Sequence, residues 1–238
     1  MARLEVCVSC PDSLIGAIEG GADRIELCSA IEVAGITPTP GLVMMAKTAG
    51  IPVHALIRPR GGVFVWSRAE VEVMKAEIAF MRDNGLEGVV IGAARPDNTL
   101  DEDVLAELMA AATGLEVSLH RVFDCTPDLD AALDTAIRLG IKRVLTSGGT
   151  MMVSDGIETL ARLHARAGDR IEIMAGAGLS IANAPYLLRR VPFEWVHASA
   201  TEVVGGPLDP HLVALGFASR PRRVTTAAKV RALRAVLQ

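Results

Sequence analysis

Aromatic side chains are scarce in this chain. They make up 3% of its 238 residues, as five Phe, two Trp and one Tyr. Half of the residues are nevertheless apolar, so the core must be built from Val, Ile, Leu, Ala and Met, the composition of strands buried on both faces. No stretch approaches 18 apolar residues, which leaves no candidate for a membrane-spanning helix. The first strand signal begins at Leu4 with no charged leader and apolar run before it, so a soluble, cytoplasmic protein is expected. Charge of one sign is nowhere concentrated: the net charge is −4 and Lys/Arg runs stay short, which argues against nucleic acid or an anionic membrane as a partner. Four cysteines in a chain of this length do not make a disulfide framework and are expected as reduced thiols. A dinucleotide fingerprint, a low-complexity tract and a linker are also lacking, so one domain over residues 1–238 is expected.

What the chain does have is alternation. Strand signals fall at 4–9, 24–29, 53–59, 88–93, 117–124, 143–148, 171–178 and 195–201. Helix signals stand between them. Pro11 sits in a first turn that Gly20-Gly21 closes, and Pro38-Thr39-Pro40 opens a helix ended by Gly50. Ser67 with Glu70 forms a capping box before a helix stopped by Gly85. Asp101 to Gly114 and Asp128 to Gly140 follow the same grammar, with further helices near 153–168, 180–190 and 226–237. Eight strand–helix units in a row predict an α/β fold of the (β/α)8 TIM-barrel type, with an open doubly wound sheet as the rival. The long irregular stretches are 60–66 and 202–224.

In such a barrel, function sits at the mouth formed by the C-terminal ends of the strands. Strand alternation therefore selects the inward residues. Glu5, Cys7 and Ser9 share one face of the first segment, and Glu26 and Cys28 share one face of the second. His54 and Arg58, His120 and Asp124, Thr146 to Gly148, Gly176 and Gly178, and His197 and Ser199 complete the set. Carboxylates and thiols turned into a barrel are costly unless they have partners or a task.

Cys7 and Cys28 occupy matching positions on adjacent strands, roughly 5 Å apart if paired in register. Thiols that close could hold a soft ion such as Cu(I), or could simply pack as small hydrophobes. Cys10 completes a Cys-x-x-Cys with Cys7, lacking the second pair of a structural zinc site. Arg58 and Arg60, ahead of Gly61-Gly62, suit a small carboxylate or phosphate ligand, although Arg58 could instead neutralise Glu5 or Glu26. His120 near Asp124 fits a general acid/base. His54 and His197, deeper in their strands, read as structural. Ser147, Gly148, Gly176, Gly178 and Ser199 fall where barrels of this kind often bind phosphate.

The stretches LEVCV, GGADRIELC, GITPTPGL, VHALIRPRGG, LHRVFD, LTSGG, MAGAGL and HASAT, in this order from residue 4 to 201, resemble the CutC family, named for copper homeostasis. The resemblance implies a (β/α)8 barrel, a cytoplasmic homodimer, and copper binding through the residues that are Cys7 and Cys28 here. The chain departs from the family pattern at Ser9-Cys10, Val63 and Ala177; Cys10 adds a third thiol. The leading expectation is Cu(I) binding by Cys7 and Cys28, aided by Cys10. The rival is an enzyme acting on a small anionic or phosphorylated substrate, with Glu26 or His120 moving a proton beside Asp124. In that rival Arg58 and Arg60 hold the anion, and Ser147, Gly176 and Ser199 cradle a phosphate.

Overall fold

The computed structural model describes residues 1–218 and 220–238. Eight parallel strands, β1 (Arg3–Val8), β2 (Arg24–Leu27), β3 (Val53–Leu56), β4 (Gly88–Ile91), β5 (Glu116–Leu119), β6 (Arg143–Thr146), β7 (Glu172–Ala175) and β8 (Trp195–Ala198), pair in sequence order. β8 closes onto β1, so the sheet is a barrel without free edges. Around it lie α1 (Pro11–Gly20), α2 (Pro40–Ala46), α3 (Arg68–Asp83), α4 (Glu102–Ala111), α5 (Leu129–Arg138), α6 (Ile157–Ala167) and α7 (Ala184–Arg190). After β8 the chain forms an antiparallel pair, β9 (Thr201–Val203) and β10 (Arg223–Thr225), with the short α8 (Pro210–Ala214) between them and α9 (Ala227–Leu237) last.

Local chemistry sets these elements. Ser67 and Glu70 do form the reciprocal capping box, and Asp101 and Asp128 cap α4 and α5 by accepting first-turn N–H groups. Gly21, at φ 84°, closes α1 in the left-handed conformation that glycine takes without strain. Outward strand residues such as Leu4, Val6, Val8, Ile25 and Leu27 are buried against the helices. The inward face is much more polar: Glu5, Arg24, His54, Ser118 and Arg143 are all buried there. Two small apolar clusters also point inward, Cys7–Cys28–Leu56–Val90 and Leu145–Met174–Trp195. β4 turns glycine inward: a Cβ on Gly88 would lie 2.6 Å from the His54 ring, and one on Gly92 would lie 2.2 Å from that of His120. Each imidazole occupies the volume that the fourth strand leaves free.

Several strands are shorter than alternation alone suggests. β5 ends at Leu119 because its ladder with β6 covers only Ser118 and Leu119. His120 N still donates to Ile91 O of β4, but then the donors turn local, Val122 N to His120 Nδ1 and Phe123 N to His120 O, and residues 123–125 form a 3₁₀ turn. β8 stops at Ala198, and residues 201–203 leave the barrel for the β9–β10 pair, inside the stretch expected to be irregular from 202 on.

Helix α1 packs on β10 through Gly16, where a Cβ would stand 2.4 Å from the carbonyl oxygen of Thr225. Helix propensity alone favours alanine at a helical glycine by roughly 0.5–1 kcal/mol. Here the clash with fixed backbone dominates, and Gly16→Ala is expected to destabilise by about 1–3 kcal/mol. Gly41, in α2, has open space around its Cα, so Gly41→Ala should be neutral or stabilising by about 0.5 kcal/mol. Urea denaturation of the two variants checks the opposite signs.

Candidate functional site

A cavity of about 570 Å³ opens at the C-terminal end of the barrel. Cys7, Glu26 and His197 line it on one side and Arg58, Phe64 and His120 on another. Glu5 lies beneath, fully buried, and is the key to the floor. Its register partners are Arg24 on β2 and His197 on β8, so both neighbouring strands deliver a hydrogen-bonding partner to it. Arg24 Nε donates to Glu5 Oε2 at 2.6 Å, and His197 Nδ1 lies 2.7 Å from Glu5 Oε1. The Arg24 guanidinium also stacks 3.8 Å over the Trp195 ring.

Burial alone would raise the Glu5 carboxyl, but the His197 hydrogen bond and the Arg24 charge outweigh it and hold the group well below the usual carboxylate range. For His197, burial opposes charging, and Glu26 and Glu5 together reverse this and raise its pKa. Its Nε2 lies 3.8 Å from Glu26 Oε2. Glu26 has a raised pKa because burial, the largest influence, outweighs the pull of His197.

Cys7 stands above Glu26. The Cys7 and Cys28 sulfurs are 3.6 Å apart, closer than in-register pairing predicts. The register itself differs from that expected: Cys7 pairs with Glu26, and Cys28 lies two residues beyond, just past β2, where its N–H still donates to Val8 O at 2.9 Å. The stagger of parallel strands in a closed barrel brings the two thiols together from different levels. Cys28 Sγ also donates to Val8 O at 3.5 Å. Hydrogen bonding to Cys28, then burial, push the Cys7 thiol pKa up. Donor atoms of Cys7, Glu26 and His197 all lie within 4.8 Å of one another.

The remaining predicted residues separate. Cys10 does not join the other thiols; it precedes α1 and donates from Sγ to Ser13 Oγ at 3.3 Å. Arg60 is not available to an anion, because it pairs with Glu70 and donates to the carbonyls of Val63 and Val65. Arg58 neutralises neither Glu5 nor Glu26; its Nη groups donate to the carbonyls of Val33, Gly35 and Gly62.

His120 meets no carboxylate. It packs on Phe64 at 4.8 Å, and burial, reinforced by Arg58, lowers its pKa to about 3. Asp124 lies on the 3₁₀ turn and holds the β6 loop: it accepts from Thr146 Oγ1 at 2.5 Å and from the N–H groups of Ser147 and Gly149, and pairs with Arg121 at 2.7 Å. Ser147 Oγ donates within that loop, Gly148 N donates to Thr146 Oγ1, and Gly176 N donates to Thr146 O. Gly178 and Ser199 line the cavity. The expected phosphate cradle is thus largely spent on internal bonds.

Arg24 and His197 are the residues that sequence reasoning undervalued. Both share inward parity with named neighbours, Arg24 with Glu26 and His197 with Ser199. Their cross-strand registration on Glu5 would have revealed the chain Arg24–Glu5–His197–Glu26.

Comparison with known proteins supplies an independent line. The model of the CutC family matches residues 2–202. A CutC family protein from Sinorhizobium medicae is 47% identical over 98% of this chain and 95% of its own length. A human protein named copper homeostasis protein cutC homolog is 39% identical over 98% of this chain and 88% of its own. The crystal structure of a copper homeostasis protein CutC from Streptococcus agalactiae superposes with a TM-score of 0.80 at 29% identity, covering 84% of this chain and 99% of that one. Thiamine phosphate pyrophosphorylase from Pyrococcus furiosus, with a TM-score of 0.59 at 16% identity over 99% of this chain and 95% of that one, is alike in fold alone.

Proposed function

The chain belongs to the CutC family, and from that premise we propose that it binds Cu(I) through Cys7 and Cys28 and serves copper homeostasis in the cytoplasm. The observation that carries this reading is the pair of sulfurs 3.6 Å apart at the side of a cavity. Two thiols are the soft donors that Cu(I) prefers over carboxylate or water. With a metal–sulfur distance of about 2.3 Å, as in zinc–thiolate sites, an ion fits between them with a bent angle. That angle leaves room for a third donor, and the His197 and Glu26 ligand atoms stand within 4.8 Å of Cys7 Sγ.

The names of the human and Streptococcus agalactiae relatives point the same way. All four cysteines are free thiols, in keeping with a reducing compartment. Among the described residues no helix is long and apolar enough to cross a membrane. His120 and Asp124 do not support the enzymatic alternative: one has its pKa driven far below neutrality and the other is tied to a loop.

Anaerobic titration with Cu(I) against a chromophoric chelator tests the proposal. Wild type is expected to compete at one equivalent, and Cys7→Ser and Cys28→Ser each to bind about 100-fold more weakly, the upper end of what losing even a supporting residue costs a metal site. Cys10→Ser should bind as wild type does. Equal competition by wild type and the Cys7→Ser/Cys28→Ser double variant would overturn the reading.

A further inference from the structure

Three arginines are buried in the barrel: Arg24, Arg58 and Arg143. Two of them are neutralised inside the protein. Arg24 pairs with Glu5, and Arg143 with Glu116 and Glu172. Arg58, 4% exposed, makes no ion pair among the described residues, and its three accepting partners are neutral carbonyls at 2.7–2.9 Å. Its Nε is buried with no acceptor among the described residues. A buried charge without a counter-charge is expensive, and a buried donor without an acceptor adds to the expense.

His120 repeats the pattern. Its Nδ1 accepts from the Val122 N–H at 3.0 Å, which leaves the proton of the neutral ring on Nε2. That Nε2 is buried and has no partner among the described residues. Both side chains rest on the same ring, Arg58 at 4.9 Å and His120 at 4.8 Å from the Phe64 centroid, and both line the cavity. Arg58 and His120 thus line the mouth with one unpartnered donor each among the described residues, one of them charged. The group that satisfies both is an oxyanion, which accepts and never donates when ionised.

We propose that the Arg58–His120 wall binds the carboxylate or phosphate of a small organic anion, Arg58 supplying the counter-charge and His120 Nε2–H a directing hydrogen bond. Leu56, Leu145 and Leu179 line other parts of the cavity and would cover an apolar body. Its volume, about 570 Å³, falls within the ~300–1,000 Å³ usual for metabolite sites. The wall uses neither thiol, so this site and copper binding stand or fall separately.

The test uses metal-free protein and follows thermal unfolding in sodium phosphate or sodium citrate against sodium chloride at matched ionic strength. A saturable rise in Tm with either oxyanion over chloride is expected; which of the two half-saturates lower tells phosphate from carboxylate preference. Arg58→Met should abolish the rise. His120→Phe keeps a ring beside Phe64 and loses only the donor, and should raise the half-saturating concentration at least about tenfold. Arg60→Met should respond as wild type does. Because Arg58 also holds three loop carbonyls, circular dichroism checks the fold of Arg58→Met, and His120→Phe decides alone if that variant is unfolded. No saturable rise with either oxyanion in wild type, or half-saturation unchanged in His120→Phe, would overturn the proposal.

Discussion

Arg24→Met is expected to destabilise the protein by about 3–5 kcal/mol, the usual penalty for removing one partner of a buried ion pair. Arg24 is 2% exposed and Glu5 not exposed at all, so water cannot replace the guanidinium. Methionine fills most of the volume and keeps contact with Trp195, which confines the change to charge and hydrogen bonding. Glu5 would retain His197, which keeps the loss toward the lower end. The double variant Arg24→Met/Glu5→Gln removes both charges and should recover more than half of the loss. Urea denaturation of wild type, the single and the double variant measures this. A single variant within 1 kcal/mol of wild type would show that Glu5 is held by something other than this pair.

Acidification should begin to destabilise the protein before its surface carboxylates titrate. His54 is buried, with its pKa lowered to about 4 by burial first and by Arg24 and Arg143, against the opposing pull of Glu5 and Glu116. His120 is lowered to about 3 by burial first and then by Arg58. An unfolded histidine titrates near 6.5, so below that pH the unfolded chain binds protons that the folded barrel refuses. The contribution is therefore complete above pH 6.5 and is lost as pH falls from 6.5 toward 4 and then 3. At about 1.4 kcal/mol per unit, His54 accounts for about 3 kcal/mol and His120 for somewhat more. His197 works with the opposite sign: its raised pKa contributes stability that is complete below pH 6.5 and is lost as pH rises through the raised value, so it leaves the decline below 6.5 unchanged. Denaturation midpoints from pH 7.5 to 4 should fall in wild type, and fall less steeply in His54→Gln and His120→Gln. A flat wild-type profile would refute the assignment. The 3.8 Å approach of His54 Nε2 to Glu116 is accordingly not an ion pair at neutral pH.

The barrel was legible because each strand–helix unit carries its own punctuation, from Pro11 and Gly21 around α1 to Asp128 before α5. Parity also found the inward thiols and Glu26. What it could not supply was register. Only the pairing of Glu5 with both Arg24 and His197 explains why a carboxylate survives at the barrel floor. Without it Arg58 looked like the natural counter-ion, and His197 like filler. Asp124 lines the cavity as parity expects, but from a 3₁₀ turn rather than a strand: period-two alternation continues past Leu119 in the sequence, while the backbone donors of Val122 and Phe123 turn back on His120. Arg60 pairs with Glu70, which belongs to the cap of the next helix, a contact that spacing does not announce.

The fourth strand offers no polar group to the mouth, and its inward glycines show what it gives instead. Gly88 and Gly92 are molds for the rings of His54 and His120, so size at each pair of positions is a shared quantity. A relative that gained a methyl or more at position 92 would have to shrink or redirect the side chain at 120, and likewise at 88 and 54. Substitutions at these sites should therefore travel in couples through the family's history, glycine kept wherever imidazole is kept.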